Sequence, residues 1–258
     1  MRLKKSESFD NFSRSSSSLS IKMYWVGLIL LNSFVFGNQP TNFHGSEQSS
    51  ISVNPLHRQN QSLSSSLEKP KVKVEVYYET LCPDSMQFLL YQLFPNYERL
   101  KNQIELKLYP FGKAQFFESG NSFEFYCQHG PKECRGNLIH CCVLDRYRNY
   151  DESIPFLRCM ENDLYGLRRP SVDAVAQKCA NSTNLNWKEI DECASSNRGK
   201  QLLVEAGRKT KSLKPRLTFV PTVVINEKYS NRDQNQAVYV DFGRLIEDYR
   251  KEIKNNNN

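Results

Sequence analysis

The chain lacks a basic cluster. Beyond Lys22 no run of Lys and Arg exceeds a pair, and the formal net charge of +7 is spread over 258 residues. A nucleic-acid surface needs clustered bases with aromatic neighbours, so no nucleic-acid partner is expected. An apolar run of the ~20 residues needed to cross a membrane is also missing. The most apolar stretch, Met23–Gly37, falls short of that length. No internal repeat occurs, which removes solenoid architectures. The first 68 residues are poor in apolar periodicity, so a packed core is expected only beyond them.

What the N-terminal part does contain is a leader pattern. A basic stretch ending at Lys22 precedes the apolar run, and Val35 and Gly37 are small enough for the −3 and −1 positions of a cleavage site. Residues 1–37 therefore read as a signal peptide with a long n-region, translation starting at Met1 or Met23. Residues 38–68 are rich in Ser, Asn and Gln and read as a disordered linker. Residues 254–258 read as a frayed tail. Two Asn-x-Ser/Thr triplets begin at Asn60 and Asn181 and are candidate glycosylation sites. Entry into the secretory pathway is expected. No stable membrane association is expected after cleavage.

One domain is expected over residues 69–253. Val72, Val74, Val76 and Tyr78 alternate with Lys73, Glu75 and Tyr77, the period of a half-buried strand. Met86, Leu89, Leu90, Leu93 and Tyr97 then recur at helical spacing, and Ile104, Leu106 and Leu108 alternate again before Pro110. Strand, helix and strand predict a parallel βαβ unit with a right-handed crossover. A helical insertion is expected over about residues 119–213. A β-branched, apolar run, Leu217–Ile225, predicts another strand with a turn at 226–231 behind it, and Asp241 is placed to cap a last helix.

Cys82 sits between the first strand and the first helix. A helix N-terminus offers free N–H groups and partial positive charge, which favour a thiolate. Glu79 and Asp84 act in the opposite sense. Pro83 suits the first helical turn, where its missing N–H costs nothing. Val220-Pro221-Thr222 is the second part of the pattern. Strand, Cys-Pro helix, strand, insertion, then Val-Pro-Thr and strand resembles the thioredoxin-like fold. In that fold a cis proline opens the strand facing the active cysteine and helps hold an extended substrate. Tyr77, Tyr78 and Phe219 are expected as core or groove aromatics.

Eight cysteines, seven of them between Cys127 and Cys193, indicate an oxidising compartment and several bridges. Residues 127–142 read Cys-Gln-His-Gly-Pro-Lys-Glu-Cys-Arg-Gly-Asn-Leu-Ile-His-Cys-Cys. This resembles the C-Q-H-G-x-x-E-C-x-x-N-x-x-x-x-C signature of the gamma-interferon-inducible lysosomal thiol reductases (GILT). Cys127, Gln128, His129, Gly130, Glu133, Cys134, Asn137 and Cys142 fill its fixed positions. The resemblance implies an α/β, thioredoxin-like fold with a disulfide-rich helical insertion, a secreted or lysosomal location, and the reduction of protein disulfides, often in acid. It matches Cys127, Cys134, Cys142, Cys159, Cys179 and Cys193 to family positions that could form three bridges, in a pairing that the sequence leaves open. Cys141 is extra. His129 reads as a hydrogen-bonding turn residue before Gly130. A zinc site built from Cys127, His129, Cys134, His140 and Cys142 is disfavoured, because the Cys-to-Cys gap of seven exceeds the usual spacing, and no metal is assigned.

One departure from the family pattern matters. The C-x-x-C active site is here Cys82-Pro83-Asp84-Ser85. Ser85 occupies the place of the resolving cysteine, and a hydroxyl forms no S–S bond. Cys82 could still attack a disulfide, with a small thiol such as glutathione or cysteine completing turnover. The expected site is Cys82 and Ser85 at the chemistry, with Pro83, Val220 and Pro221 shaping and holding substrate. The expected partners are disulfide-containing proteins, and no prosthetic group is implied. The other reading is a secreted binding protein that keeps the fold and has lost turnover.

Overall fold

A computed structural model describes residues 70–166 and 171–255. The expected leader, the linker and Asn60 lie outside the described residues, as do residues 256–258. Strand β1 (Val72–Tyr78) is central in a three-stranded sheet of order β2-β1-β5. It pairs in parallel with β2 (Ile104–Pro110), from Val72 opposite Ile104 to Tyr78 opposite Pro110. On its other edge it runs antiparallel to β5 (Thr222–Ile225), with Val74 opposite Ile225 and Tyr77 opposite Thr222. The alternation read from the sequence is met on β1, where Val72, Val74 and Val76 are fully buried.

The crossover from β1 to β2 is one helical run in three parts. Helix α1 (Pro83–Phe88) passes through a π-helical turn, Leu89–Leu93, into α2 (Phe94–Leu100). Phe88, Leu89, Leu93 and Leu100 point into the core that covers the sheet. Three features differ from the sequence reading. Strand β5 begins only at Thr222, because Pro221 has no N–H to give the ladder. A hairpin, β3 (Gln115–Ser119) and β4 (Ser122–Tyr126), precedes the helical insertion. Its turn holds Gly120 at φ +56°, and Phe116 packs on Phe111 and Phe123. Asp241 does accept from Arg244 N–H at 2.9 Å, but inside a longer helical run. That run starts with α8 (Asn231–Asn235), capped by Ser230, and passes through a second π-helical turn, Gln236–Asp241. It ends with α9 (Phe242–Asn255), so Lys254 and Asn255 of the expected tail are helical.

Among the described residues the insertion carries five helices: α3 (Pro131–Arg146), α4 (Tyr150–Leu164), α5 (Val172–Ser182), α6 (Trp187–Ser195) and α7 (Asn197–Lys211). Four of them start on a side-chain cap, Asn149, Ser171, Asn186 and Ser196, each accepting a first-turn N–H. The bridges staple neighbours. Cys142–Cys193 joins α3 to α6, Cys159–Cys179 joins α4 to α5, and Cys127–Cys134 ties the end of the hairpin to the first turn of α3. Arg135 adds ion pairs from α3 to Asp173 on α5, at 2.7 Å, and to Asp191 on α6. Asn181 is exposed on α5.

A polar group lies beneath the insertion. Tyr78, His140 and Glu161 are fully buried, with the Tyr78 hydroxyl 3.0 Å from His140 Nδ1 and Glu161 Oε1 3.8 Å from the same nitrogen. Burial pushes the His140 imidazolium down to about 3, from 6.5. Burial, with Glu133 adding repulsion, pushes the Glu161 carboxyl well above 4.5. Between those ordinary values the folded pair holds one proton, wherever in the pair it sits. The unfolded chain also holds one, on His140. Stability is therefore independent of pH through this pair between 4.5 and 6.5.

Above pH 6.5 the unfolded chain has released both protons and the fold keeps one, so stability falls as pH rises. Below pH 4.5 the unfolded chain binds two, so stability falls as pH drops. Either limb has a slope approaching about 1.4 kcal/mol per pH unit. Glu161→Gln should flatten the limb above pH 6.5, so that its melting temperature relative to wild type rises with pH. Thermal unfolding from pH 4 to pH 9 checks this; parallel profiles for the two proteins would contradict it.

Candidate active site

Cys82 is the residue that leads from the β1 loop into α1. Its backbone is extended (φ −76°, ψ 119°), its carbonyl accepts the first helical bond from Met86 N–H at 2.9 Å, and Pro83 occupies the first turn. The side chain is largely buried, at 7% exposed, and unpaired with any other cysteine. Its Sγ lies 3.8 Å from the carbonyl oxygen of Val220. The Val220–Pro221 peptide bond is cis. Two segments separated by 138 residues are thus brought to one sulfur, and the structure joins Cys82, Pro83, Ser85, Val220 and Pro221 in one place.

Gln234 holds the proline segment, and sequence reasoning missed it. Its Nε2 donates to the Pro221 carbonyl at 2.7 Å, and its Oε1 accepts from Val223 N–H at 2.8 Å. A single amide thus ties α8 to both sides of Thr222. The available signal was faint: a Gln four residues after a Ser cap, on a short helix with no apolar periodicity. Beside this segment Phe219 and the exposed Tyr239 bring their rings to 6.5 Å. Phe219 is half-buried, in keeping with a groove rather than a core position. Tyr77 and Tyr78 are core residues, Tyr77 stacking on Tyr109 at 4.8 Å.

The loop before Cys82 is fixed by the Cys-Gln-His-Gly segment's helix. Asn137 Oδ1 accepts from Thr80 N–H at 3.1 Å, and the Thr80 hydroxyl donates to the Glu133 carbonyl at 3.3 Å. Gly136 is required at this contact, because a Cβ there would lie 2.4 Å from Thr80 Oγ1. Ser85 is fully buried in the helix start, and its hydroxyl accepts from Glu79 N–H at 3.3 Å. The sulfurs of Cys127, Cys134 and Cys142 are all in bridges and offer no thiolate, and His140 belongs to the Tyr78 and Glu161 group. The disfavoured zinc set is therefore not assembled.

Burial is the largest influence on Cys82 and pushes its thiol above the usual cysteine value. The Ser85 N–H and hydroxyl and the Asp84 N–H pull it back down, and the Glu79 carboxylate adds to the rise. The helix start does favour the thiolate, as its position implies, but desolvation outweighs it. Glu79 itself is pushed up to about 7, first by burial and then by Glu133, against the Lys113 N–H and His129. Cys141 is buried on α3, at 6% exposed, and burial raises its thiol far more strongly.

It follows that Cys82 should react with iodoacetamide at pH 7 more slowly than glutathione does, and that Ser85→Ala should slow it further. Cys141 should stay unmodified in the native protein. A mass-spectrometric time course on the two cysteine peptides measures both, and alkylation of Cys82 faster than that of glutathione would contradict the burial balance.

With this geometry in place, likeness to known proteins becomes informative. The family model for gamma interferon inducible lysosomal thiol reductase (GILT) matches residues 73–183. GILT-like protein 1 of Drosophila melanogaster is 36% identical over 178 residues, which cover 65% of this chain and 70% of the fly protein. The gamma-interferon-inducible lysosomal thiol reductase-like protein of Anopheles gambiae is 34% identical over 178 residues, 65% of this chain and 73% of its own. GILT-like protein C02D5.2 of Caenorhabditis elegans is 40% identical over 157 residues, but the match spans only 47% of its length. Among solved structures, oxidised BdbD from Bacillus subtilis superposes with a TM-score of 0.52 at 16% identity, over 70% of this chain and 88% of BdbD. DsbA from Chlamydia trachomatis gives 0.50 at 14%, over 71% and 87%. At such identities the structures speak for the fold alone, a mixed α/β thioredoxin-like fold with a helical insertion. The sequence relatives decide the rest: the chain belongs to the GILT family.

Proposed function

We propose that this protein reduces disulfide bonds in other proteins through a single nucleophile, Cys82, with a small external thiol completing each turnover. The observation that carries the reading is the placement of Cys82 Sγ 3.8 Å from the Val220 carbonyl, next to the cis Val220–Pro221 bond. An extended substrate strand laid along Val220 and Pro221 would bring its disulfide to that sulfur. Membership of the GILT family and the thioredoxin-like fold support the same chemistry.

The reaction balances as follows. The Cys82 thiolate attacks one sulfur of the substrate disulfide, forming a mixed disulfide and releasing the other sulfur as a thiolate that takes a proton from solvent. In a C-x-x-C site the second cysteine would then attack Cys82. Here Ser85 stands at that position, with its N–H and hydroxyl beside the sulfur and no bond to offer it. A glutathione thiolate attacks Cys82 Sγ instead, freeing the second substrate thiol. A second glutathione regenerates Cys82 and leaves as oxidised glutathione. Two external thiols are oxidised for each substrate disulfide reduced.

The compartment that fits is lysosomal or extracellular, since three bridges in the insertion need an oxidising route of synthesis. A second reading, a binding protein without turnover, draws on the burial that raises the Cys82 thiol. In that case an adduct on Cys82 would form slowly and persist.

The full chain, with bridges intact and incubated with a disulfide peptide, distinguishes the two. Reduction should require glutathione and fall to the glutathione-alone background in Cys82→Ser. Ser85→Cys should release about one equivalent of reduced peptide without glutathione, leaving a disulfide between Cys82 and the introduced cysteine. A wild-type rate no higher than glutathione alone would overturn the enzymatic reading.

A further inference from the structure

Two carboxylates and an imidazole that the thiol chemistry does not use converge behind the Cys82 loop. Glu79 follows β1, His129 precedes α3, and Glu133 lies in the first turn of α3. Both carboxylates are fully buried, whereas the His129 side chain keeps 22% of its surface exposed. Each carboxylate is fixed by one oxygen. Glu79 Oε1 accepts from Lys113 N–H, and Glu133 Oε1 accepts from His129 N–H at 3.2 Å. The second oxygen of each turns toward the imidazole. Glu133 Oε2 is in hydrogen-bond contact with His129 Nδ1, and Glu79 Oε2 lies 3.7 Å from the same nitrogen. All three atoms fall within 4.8 Å of one another.

A hydrogen bond between His129 and Glu133 accounts for two of the three groups but not the third. Glu79 Oε2 is buried without a hydrogen-bond partner, aimed at the cluster. Buried polar atoms are rarely left so, because desolvation is then uncompensated. Nor can Glu79 swing away easily. Gly112, at φ +54°, packs its backbone so closely that a Cβ would come within 2.4 Å of Glu79 Cγ.

We propose that Glu79, His129 and Glu133 form a binding site for one divalent cation of the zinc class, with water as the remaining ligand. One imidazole nitrogen with two carboxylate oxygens suits zinc better than calcium or magnesium, which take oxygen ligands. Zinc–ligand distances of about 2.0–2.2 Å place ligand atoms roughly 3.5 Å apart in a tetrahedral site. Glu79 Oε2 is near that spacing from the imidazole already, His129 draws back from Glu133 to reach it, and the two carboxylate oxygens start within 4.8 Å of each other. With the metal on Nδ1 the ring carries its one proton on Nε2. The oxygens that hold Glu79 and Glu133 to backbone N–H groups stay engaged, as supporting hydrogen bonds do in metal sites. The exposed part of His129 gives the cation and its water a route in. The site uses no sulfur, and metal binding can be measured without any thiol reaction.

Zinc and cobalt(II) are the probes, added to the full chain with its bridges intact. One zinc per chain should survive dialysis and be measured by atomic emission. Cobalt(II) should give weak visible bands without the intense near-ultraviolet charge transfer of a thiolate ligand. Glu79→Gln and His129→Gln remove ligands and should each weaken zinc binding by at least the roughly 100-fold that losing an outer-shell partner can cost. Circular dichroism checks that the variants fold, and the cobalt spectrum of the wild type serves should one of them not. Absence of stoichiometric zinc, affinity unchanged in folded Glu79→Gln, or a thiolate band that disappears in Cys82→Ser would each overturn the proposal.

Discussion

The contact on which the rest of the site depends is the seat of α3 against the loop that ends β1. Thr80 gives its N–H to Asn137 and its hydroxyl to the Glu133 carbonyl, and Gly136 lets the two backbones close. All of these groups are buried, so each hydrogen bond is made where water cannot substitute for it. The loop in question carries Glu79 and Cys82. Fixing it fixes where the sulfur stands relative to the sheet, and so relative to Val220. The insertion is therefore more than an appendage on a βαβ unit. It is one wall of the active-site loop.

Much of this was legible in the sequence because period and composition are local properties. The alternation of Val72, Val74 and Val76 gave away β1, and the helical spacing from Met86 to Tyr97 gave away the crossover. Cys82 at a helix start and Pro221 before a β-branched run pointed to one site from two places. The π-helical turns were not legible, since a helix wound by one extra residue keeps nearly the same apolar face. The β3–β4 hairpin is weakly marked although Gly120-Asn121 between runs containing Phe116 and Phe123 is a turn signal, because its strands are largely exposed and short of β-branched residues. The role of Gln234 and the meeting of Glu79 with His129 and Glu133 needed three dimensions. Neither pattern has a spacing.

Electrostatics at Cys82 show how a local rule can be right and still be outweighed. The helix start favours the thiolate, as the sequence suggests, through the Ser85 N–H and hydroxyl and also through the Asp84 N–H, where the sequence counted only the opposing Asp84 carboxylate. Burial is a property of the assembled site and acts in the opposite sense with the larger effect. Ser85 thus has a double character. It cannot resolve a mixed disulfide, yet it is among the strongest influences restoring acidity to the sulfur beside it. In the proposed cycle, the residue that stands in place of a resolving cysteine also supports the attack by Cys82.

The arrangement of the bridges has a further consequence. An agent that lives by exchanging disulfides works in the presence of thiols able to attack its own. Exchange needs an approach to a sulfur from outside, along the line of the bond to be broken. Each bridge in this chain withholds that approach on at least one side: Cys127 is 2% exposed, Cys142 1% and Cys179 0%. Exposure alone does not separate these staples from the free thiol, since Cys134 at 9% is no better shielded than Cys82 at 7%; a bridge that is opened keeps its partner sulfur close by and can re-form, whereas Cys82 has no such partner to return to.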